Sequence, residues 1–428
     1  MRIAMLSPVA PVHGKGGVQD VVWSLARSLA ARRHEVTLIT TARVDGVITA
    51  AEDGVSLRYL EGTPPMRAAG RWAGASAAAV ETLHRARPLD VIHSQSFCGV
   101  HLAGRFPGVP VVASLHGTHV DELRTCERLL RENLAGFALR QAARSAYVWL
   151  MMARRLRGEG RRLRDCDAVI ATSREQRALL AREYGVPEAR LFDVWNGIDV
   201  DRFTPRPADA ATRAALGAVE HAPLVLAVAR LYQDKGIQHL LRAFPAVLEV
   251  HPNARLAIVG DGAYRGELES QAAALRLGGR ARFLGAASLD QLPAYYAAAD
   301  VFVNPTVRIN GYDLTILQAM AMARPVVVSN LGSVPTAVAD GDDGYLVTPG
   351  DPRALAAAIL RVIADPAASA AVAERAHRTV AERFSVRAMC DGTLRVYERA
   401  IATRRATTAA PDAPHAEPAP ERAAGTAR

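Results

Sequence analysis

The sequence predicts an α/β protein built from two Rossmann-like, doubly wound domains facing each other across a cleft. Three observations carry this expectation. Short apolar runs alternate with amphipathic helical stretches along the chain, the pattern of parallel strands covered by helices. The 428 residues, 50% hydrophobic and 22% charged, suffice for two cores. A stretch with two prolines, Asp201-Arg202-Phe203-Thr204-Pro205-Arg206-Pro207, separates two sets of six apolar runs and suits a linker.

In the first half, strands are expected at 3–7, 36–40, 55–60, 90–93, 111–115 and 168–172. The first is too short, and too soon followed by Pro8 and Pro11, for a secretory leader, so it reads as a buried strand. It runs into His13-Gly14-Lys15-Gly16-Gly17-Val18-Gln19, after which Val21, Val22, Leu25 and Leu29 mark an amphipathic helix. Glycines there let backbone N–H groups approach an anion at a helix N-terminus. An ordinary strand–helix turn has a similar composition, and the segment matches neither GxGxxG nor a Walker loop. The strand ending at Leu115 delivers His116 at its carboxyl end, placed to donate a hydrogen bond to a polar substrate. His93 and His101 read as structural.

Residues 124–164 hold eleven arginines and three glutamates, nearly all of the chain's net charge of +9. This argues for one basic segment and against a nucleic-acid coat spread over the molecule. Its Leu129, Leu130, Leu134, Phe137 and Tyr147-Val148-Trp149-Leu150-Met151-Met152 suit the anionic surface of a membrane. The alternative is a solvated helical face whose apolar side packs on the first domain. Four separated cysteines, Cys98, Cys126, Cys166 and Cys390, lack metal-ligand spacing and fit a reduced, cytoplasmic compartment. No apolar run is long enough to predict a spanning helix.

In the second half, strands are expected at 224–229, 256–260, 281–284, 301–304, 326–329 and 345–347. The first runs into Arg230-Leu231-Tyr232-Gln233-Asp234-Lys235-Gly236-Ile237. Arg230 and Lys235, across one strand–helix loop, can both aim at a diphosphate, one as a planar fork and one as a point charge. Only Lys15 and Lys235 among 52 basic residues are lysines, which points to a local use for each ammonium. Farther on, Asn304-Pro305-Thr306-Val307-Arg308-Ile309-Asn310-Gly311-Tyr312-Asp313 leads into a helix over 314–323. Its first N–H groups make a second anion site that Asp313 is placed to cap. The triplets Asp165/Asp167, Asp199/Asp201 and Asp340/Asp342 read as structural, and no metal is expected. The final stretch, 403–428, holds nine Ala and four Pro without Ile, Leu, Val or Phe, and is expected to be disordered.

Taken in order, Gly16-Gly17 with Arg33-His34-Glu35-Val36, His116-Gly117, Ala171-Thr172-Ser173, Asn196-Gly197-Ile198-Asp199 with Arg202-Phe203 and Pro205, and Arg230 with Lys235-Gly236 form a specific set. Val259-Gly260-Asp261-Gly262, Phe283-Leu284-Gly285, Ala299-Asp300-Val301 and Ala319-Met320-Ala321 complete it. The set resembles the retaining, nucleotide-sugar-dependent glycosyltransferases of GT-B fold and family 4 type, the group typified by sucrose synthases and phosphatidylinositol mannosyltransferases. The resemblance covers roughly the first 400 residues.

It implies an acceptor-side domain over 1–204, a donor-binding domain over 205–383 and a helix over 384–402 crossing back to the first. It implies that Arg230 and Lys235 neutralise the donor diphosphate, that Gly16 and Gly17 close over it, and that His116 touches the transferring sugar. Leu284, Asn310, Gly311, Tyr312, Asp313, Leu314, Thr315 and Gln318 complete the implied donor site. The implied co-substrate is a nucleotide-diphosphate sugar, with no further cofactor and no metal expected. The expected acceptor is a glycan, a lipid-linked molecule or a small molecule, the basic segment 124–164 adding, in the lipid case, peripheral contact at the inner face of a membrane. The family's Glu-x7-Glu pair aligns with Asn310 and Gln318, both amides, and Asp313 replaces a glycine. A catalytically weak or silent nucleotide-sugar-binding homologue is therefore the alternative.

Overall fold

The computed structural model describes residues 1–409 except 15, 136–137, 219–221 and 310. Lys15, Phe137, Asn310 and the last nineteen residues of the expected disordered tail therefore lie outside the described residues.

Fourteen described strands form two sheets. The first contains β1 (Arg2–Leu6), β2 (Glu35–Thr41), β3 (Thr49–Glu52), β4 (Val55–Leu60), β5 (Val91–Gln95), β6 (Val111–Leu115), β7 (Ala168–Ala171) and β8 (Leu191–Asp193), in the order β3-β4-β2-β1-β5-β6-β7-β8. Every pairing is parallel except β3 with β4. The second contains β9 (Leu224–Val228), β10 (Arg255–Val259), β11 (Ala281–Phe283), β12 (Val301–Asn304), β13 (Val326–Ser329) and β14 (Tyr345–Val347), all parallel, in the order β11-β10-β9-β12-β13-β14.

All twelve expected strands form, with ends shifted by at most two residues. The two unexpected ones carry little apolar signal. β3 is an exposed Thr-Ala-Ala-Glu edge, and β8 has only three residues. The central strands are buried on both faces, as a parallel sheet between helical layers requires. Among the parallel strands of each sheet the order reverses once, at β1 and at β9, and ligands of such sheets sit beyond the carboxyl ends at that switch point. The two loops singled out in the sequence, after β1 and after β9, leave these two switch points.

Residues 384–402 were expected to cross back to the first domain. The helix observed is Val386–Ala409, and it places Met389, Cys390, Val396, Tyr397 and Ala400 in one cluster with Ile3, Met5, Val22 and Val112. The chain turns over between the domains where Ile198 N–H donates to Phe384 O (2.8 Å) and Val386 N–H to Ile198 O (3.0 Å). Gly197 is needed there, because a Cβ would stand 2.4 Å from Ser385 O. The helix also corrects one expectation: Thr403–Ala409, assigned to the disordered tail, forms its last two turns. Alanine and arginine are strong helix formers, and extending an existing helix requires no new burial.

The basic segment forms two packed helices, His119–Ala135 and Leu139–Arg164. No single helix among the described residues is long and apolar enough to cross a membrane. The four cysteines are buried free thiols.

Candidate functional site

After β9 the chain makes a tight turn, Gln233–Lys235, ending at Gly236 with φ +71°. A Cβ on Gly236 would lie 1.9 Å from Pro305 O, so glycine lets the turn close onto the loop after β12. Thr306 Oγ1 and Val307 N–H complete this junction by donating to Asp234 O at 3.2 and 2.9 Å. Lys235 is only 5% exposed, and its Nζ donates to Asp313 Oδ1 at 2.5 Å. Asn304 Nδ2 donates to the other oxygen of the same carboxylate at 3.0 Å. Burial alone would raise the Asp313 carboxyl. The Lys235 ammonium, the Asn304 amide and the nearby Arg308 charge outweigh it and hold the group at about 2.

Asp313 therefore does not cap the helix Leu314–Ala321 as expected. It occupies the N-cap position without a side-chain cap bond, its two oxygens turned instead to the Lys235 ammonium and the Asn304 amide. Arg230 is in a different state. It is exposed, its guanidinium carbon lies 5.4 Å from the Tyr232 ring centre, and it has no carboxylate partner among the described residues.

The first domain brings its own candidates to the same place. Gly17 opens the helix Gly17–Ala31, with Gly16 at its N-cap. A Cβ on Gly17 would lie 3.6 Å from Leu314 Cδ1, so two helix starts, one from each domain, abut. Leu314 packs against core clusters of both domains. Gly311 lies against His116, whose carbonyl oxygen would be 3.7 Å from a Cβ there. The Tyr312 hydroxyl accepts from Asn196 N–H at 3.1 Å.

His116 Nε2 lies 2.7 Å from Gln95 Oε1, while its Nδ1 is buried without a hydrogen-bond partner among the described residues. Burial pushes this imidazole down to about 4, against a smaller opposing pull from the Asn196 side chain, so it is neutral at pH 7. Nε2 is taken up by Gln95, and Nδ1 is what remains for a ligand. Thr315 Oγ1 is likewise buried and unpartnered. Gln318 Oε1 accepts from the buried Tyr296 hydroxyl at 2.9 Å, which leaves its N–H groups for a ligand. Gln318 and Leu314 line a cavity of about 270 Å³ shared with Trp23, Arg27, Asp199 and Arg202. Leu284 serves the sheet edge, its N–H donating to Ile258 O at 2.9 Å and its side chain packing on the second core.

The crevice between the sheets is tied by polar contacts. Arg308 pairs with Glu122 at 2.9 Å, Ile309 N–H donates to Thr125 Oγ1 at 3.1 Å, and Asn133 Nδ2 donates to Gln233 Oε1 at 3.2 Å. Ser173 and Ser333 hydroxyls meet at 2.7 Å. A larger cavity, about 540 Å³, lies elsewhere, among Pro223, Asp300 and Pro325 at the amino ends of β9, β12 and β13. Ligands of parallel sheets bind at the opposite end, so its size does not make it the site. Within the D-x-D triplets, Asp167, Asp199 and Asp340 accept from backbone N–H groups and Asp342 from Arg375.

Sequence reasoning missed Gln95. A readable signal existed: β5 ends in three polar residues, His93-Ser94-Gln95, all buried in an otherwise apolar strand. The Lys235–Asp313 pair was missed because its members are 78 residues apart.

Known proteins place this architecture. A family model described as glycosyl transferases group 1 matches residues 222–365, and one described as Glycosyltransferase Family 4 matches residues 15–202. The chain is 30% identical to a D-inositol 3-phosphate glycosyltransferase of Streptomyces avermitilis, over 94% of this chain and 89% of that protein. It is 35% identical to a GDP-mannose-dependent alpha-(1-6)-phosphatidylinositol monomannoside mannosyltransferase of Mycolicibacterium smegmatis, over 49% of this chain and 56% of that protein. Among solved structures, sucrose-phosphate synthase from Thermosynechococcus elongatus superposes with a TM-score of 0.74 at 25% identity, covering 94% of this chain and 99% of that one. With both halves matched in order and a relative of this identity along nearly its whole length, the chain belongs to the group 1, family 4 glycosyltransferases and has their GT-B fold.

Proposed function

We propose that this glycosyltransferase moves a sugar from a nucleoside-diphosphate donor to an acceptor hydroxyl, with retention of anomeric configuration and without a metal ion. The observation that carries the reading is the meeting, at the carboxyl ends of both sheets, of two helix N-termini beside two polar atoms with no partner among the described residues, His116 Nδ1 and Thr315 Oγ1, with Arg230 exposed on the strand-end loop that also carries Lys235. Buried polar groups in native proteins are almost always paired, so orphans at one crevice are what a polar ligand would satisfy.

Departure of a nucleoside diphosphate builds negative charge, and fixed cations with helix-start N–H groups stabilise it best where water is excluded. Arg230 takes the larger share of that charge, because Lys235 is already neutralised by Asp313. The sugar lies against His116, whose Nδ1 accepts a hydrogen bond from one of its hydroxyls. The acceptor hydroxyl attacks from the leaving-group side and passes its proton to the departing phosphate oxygen. The acceptor oxygen–carbon bond forms as the carbon–phosphate oxygen bond breaks, and no protein carboxylate serves as base. Gln318 offers N–H donors to the ribose hydroxyls.

UDP-, GDP- and ADP-sugars are the panel that tests the reading, by thermal stabilisation and then by transfer or hydrolysis. One of them should stabilise the chain and turn over equally well in excess chelator. Arg230→Ala should lower turnover at least about a hundredfold, the size of loss for removing one such donor. Unchanged turnover in this variant would remove the assignment. Asp313 bears on the alternative, a silent binding homologue, since its carboxylate occupies the ammonium a phosphate would use. Nucleotide binding without turnover would favour that alternative.

The acceptor is proposed to be lipid-linked, presented at an anionic membrane surface. Support comes from the helices His119–Ala135 and Leu139–Arg164, which combine the arginine cluster with exposed Leu139 (69%), Tyr147 (65%) and Leu150. Co-sedimentation with anionic vesicles at low salt, lost at high salt, is expected. Absence of binding at low salt would discard the lipid acceptor.

A further inference from the structure

Beneath the crevice a chain of buried side chains connects the C-terminal helix to His116. Tyr397, fully buried on the helix Val386–Ala409, has its hydroxyl 2.6 Å from His93 Nδ1. The other ring nitrogen of His93, Nε2, lies 2.7 Å from Ser114 Oγ on the neighbouring strand β6. The amide nitrogen of Gln95 lies 3.4 Å from both His93 nitrogens, packed against that ring. The amide oxygen points the other way, 2.7 Å from His116 Nε2.

The proton positions follow from these partners. Tyr397 is buried and stays protonated, and His93, held down to about 3 by burial first and by His116 second, stays neutral. The tyrosine O–H therefore donates to His93 Nδ1, and His93 Nε2–H donates to Ser114. Gln95 lays its amide nitrogen on the face of one histidine ring and turns its carbonyl to the other histidine. A carbonyl accepts only, so His116 must carry its proton on Nε2.

We infer that Gln95, His93 and Tyr397 are positioning residues that hold His116 in the Nε2–H tautomer, so that its unpartnered Nδ1 accepts a hydroxyl proton from the transferring sugar. The sugar contact rests on the proposed function; the tautomer and its dependence on Gln95 do not. The arrangement also links the C-terminal helix to the site. A residue more than 280 positions from His116 sets the orientation of that ring through two intermediates. A histidine acceptor fixed in one tautomer needs no reorganisation when the sugar arrives, which is the general use of such outer partners.

Two-bond proton–nitrogen NMR of the histidine side chains in the full chain at pH 7 tests the inference, with His116 assigned through His116→Gln. The expected spectrum shows His116 with a protonated Nε2 and an unprotonated Nδ1. In Gln95→Leu the two nitrogens should move toward averaged positions. Tyr397→Phe, which keeps the ring in the core, should move them in the same direction by less. A wild-type His116 protonated on Nδ1 overturns the inference, as does a tautomer unchanged in Gln95→Leu. Unchanged shifts in Tyr397→Phe overturn the link to the helix. With a donor that turns over, Gln95→Leu should lower kcat about tenfold while donor KM stays within about twofold, because it loosens a contact without removing binding groups. The tautomer response without turnover of any nucleotide sugar would sink the proposed transfer and leave the positioning network standing.

Discussion

Lys235, buried, and Asp313, part-buried, form the ion pair at the centre of the candidate site, and each depends on the other. Lys235→Ala leaves a largely buried carboxylate without its ammonium. Breaking such a pair costs about 3 kcal/mol, and adding Asp313→Ala should return most of it. Denaturant unfolding of both single variants and the double variant checks this. Asp313→Asn, by freeing the ammonium, should tighten donor binding at least about tenfold, read by calorimetry. The histidines set the acid response. The His93 and His116 pKa values are lowered to about 3 and about 4, against 6.5 for an unperturbed side chain. Unfolding lets both take protons below pH 6.5, so the stability they contribute is complete above that pH. It falls by up to about 1.4 kcal/mol per pH unit for each between pH 6.5 and 4. A flat stability profile over that range would contradict their burial. At this scale the sequence showed which residues are chemically unusual but not their partners. Arg230, Lys235 and His116 stood out by type and by position at strand ends. Asp313 and Gln95 gain their roles from contacts across 78 and 21 residues of chain, which no local pattern encodes.

Elements were more legible than residues because their signals are local. Runs such as Leu224–Val228 and Val326–Ser329 are apolar on both faces, and that alone marks a central parallel strand. β3 and β8 escaped because one is polar and alanine-rich and the other has three residues. The end of the last helix escaped for the opposite reason. Thr403–Ala409 has no apolar stripe to announce a helix, yet it continues one already paid for by Tyr397 and its neighbours. That helix starts where Gly197 touches Ser385. Gly197→Ala would push a methyl into the Ser385 carbonyl and should destabilise the protein by about 1–3 kcal/mol, the usual cost of overpacking. Thermal unfolding measures the loss, and limited proteolysis should show the C-terminal helix cut first. Unaltered resistance of that helix would contradict its dependence on this crossing.

Across the whole molecule, function depends on two sheets presenting their switch points to one crevice. Each domain brings part of the proposed site: the glycine loop and His116 from the first, Arg230, Lys235 and the helix Leu314–Ala321 from the second. The ties between them are hydrogen bonds and ion pairs such as Arg308–Glu122, with Leu314 bridging both cores. Interfaces of that polar kind permit relative motion of domains, which a donor needs in order to enter. The two-domain plan was legible because the strand–helix alternation repeats on either side of the linker. Which surfaces meet was not, since Ser173–Ser333 and Asn133–Gln233 depend on docking. The most direct test of this crevice is turnover of the nucleotide sugar that best stabilises the protein, compared between wild type and purified, folded Arg230→Ala. A loss of at least about a hundredfold is predicted. Equal turnover in the two proteins would show that the diphosphate leaves from somewhere other than this crevice.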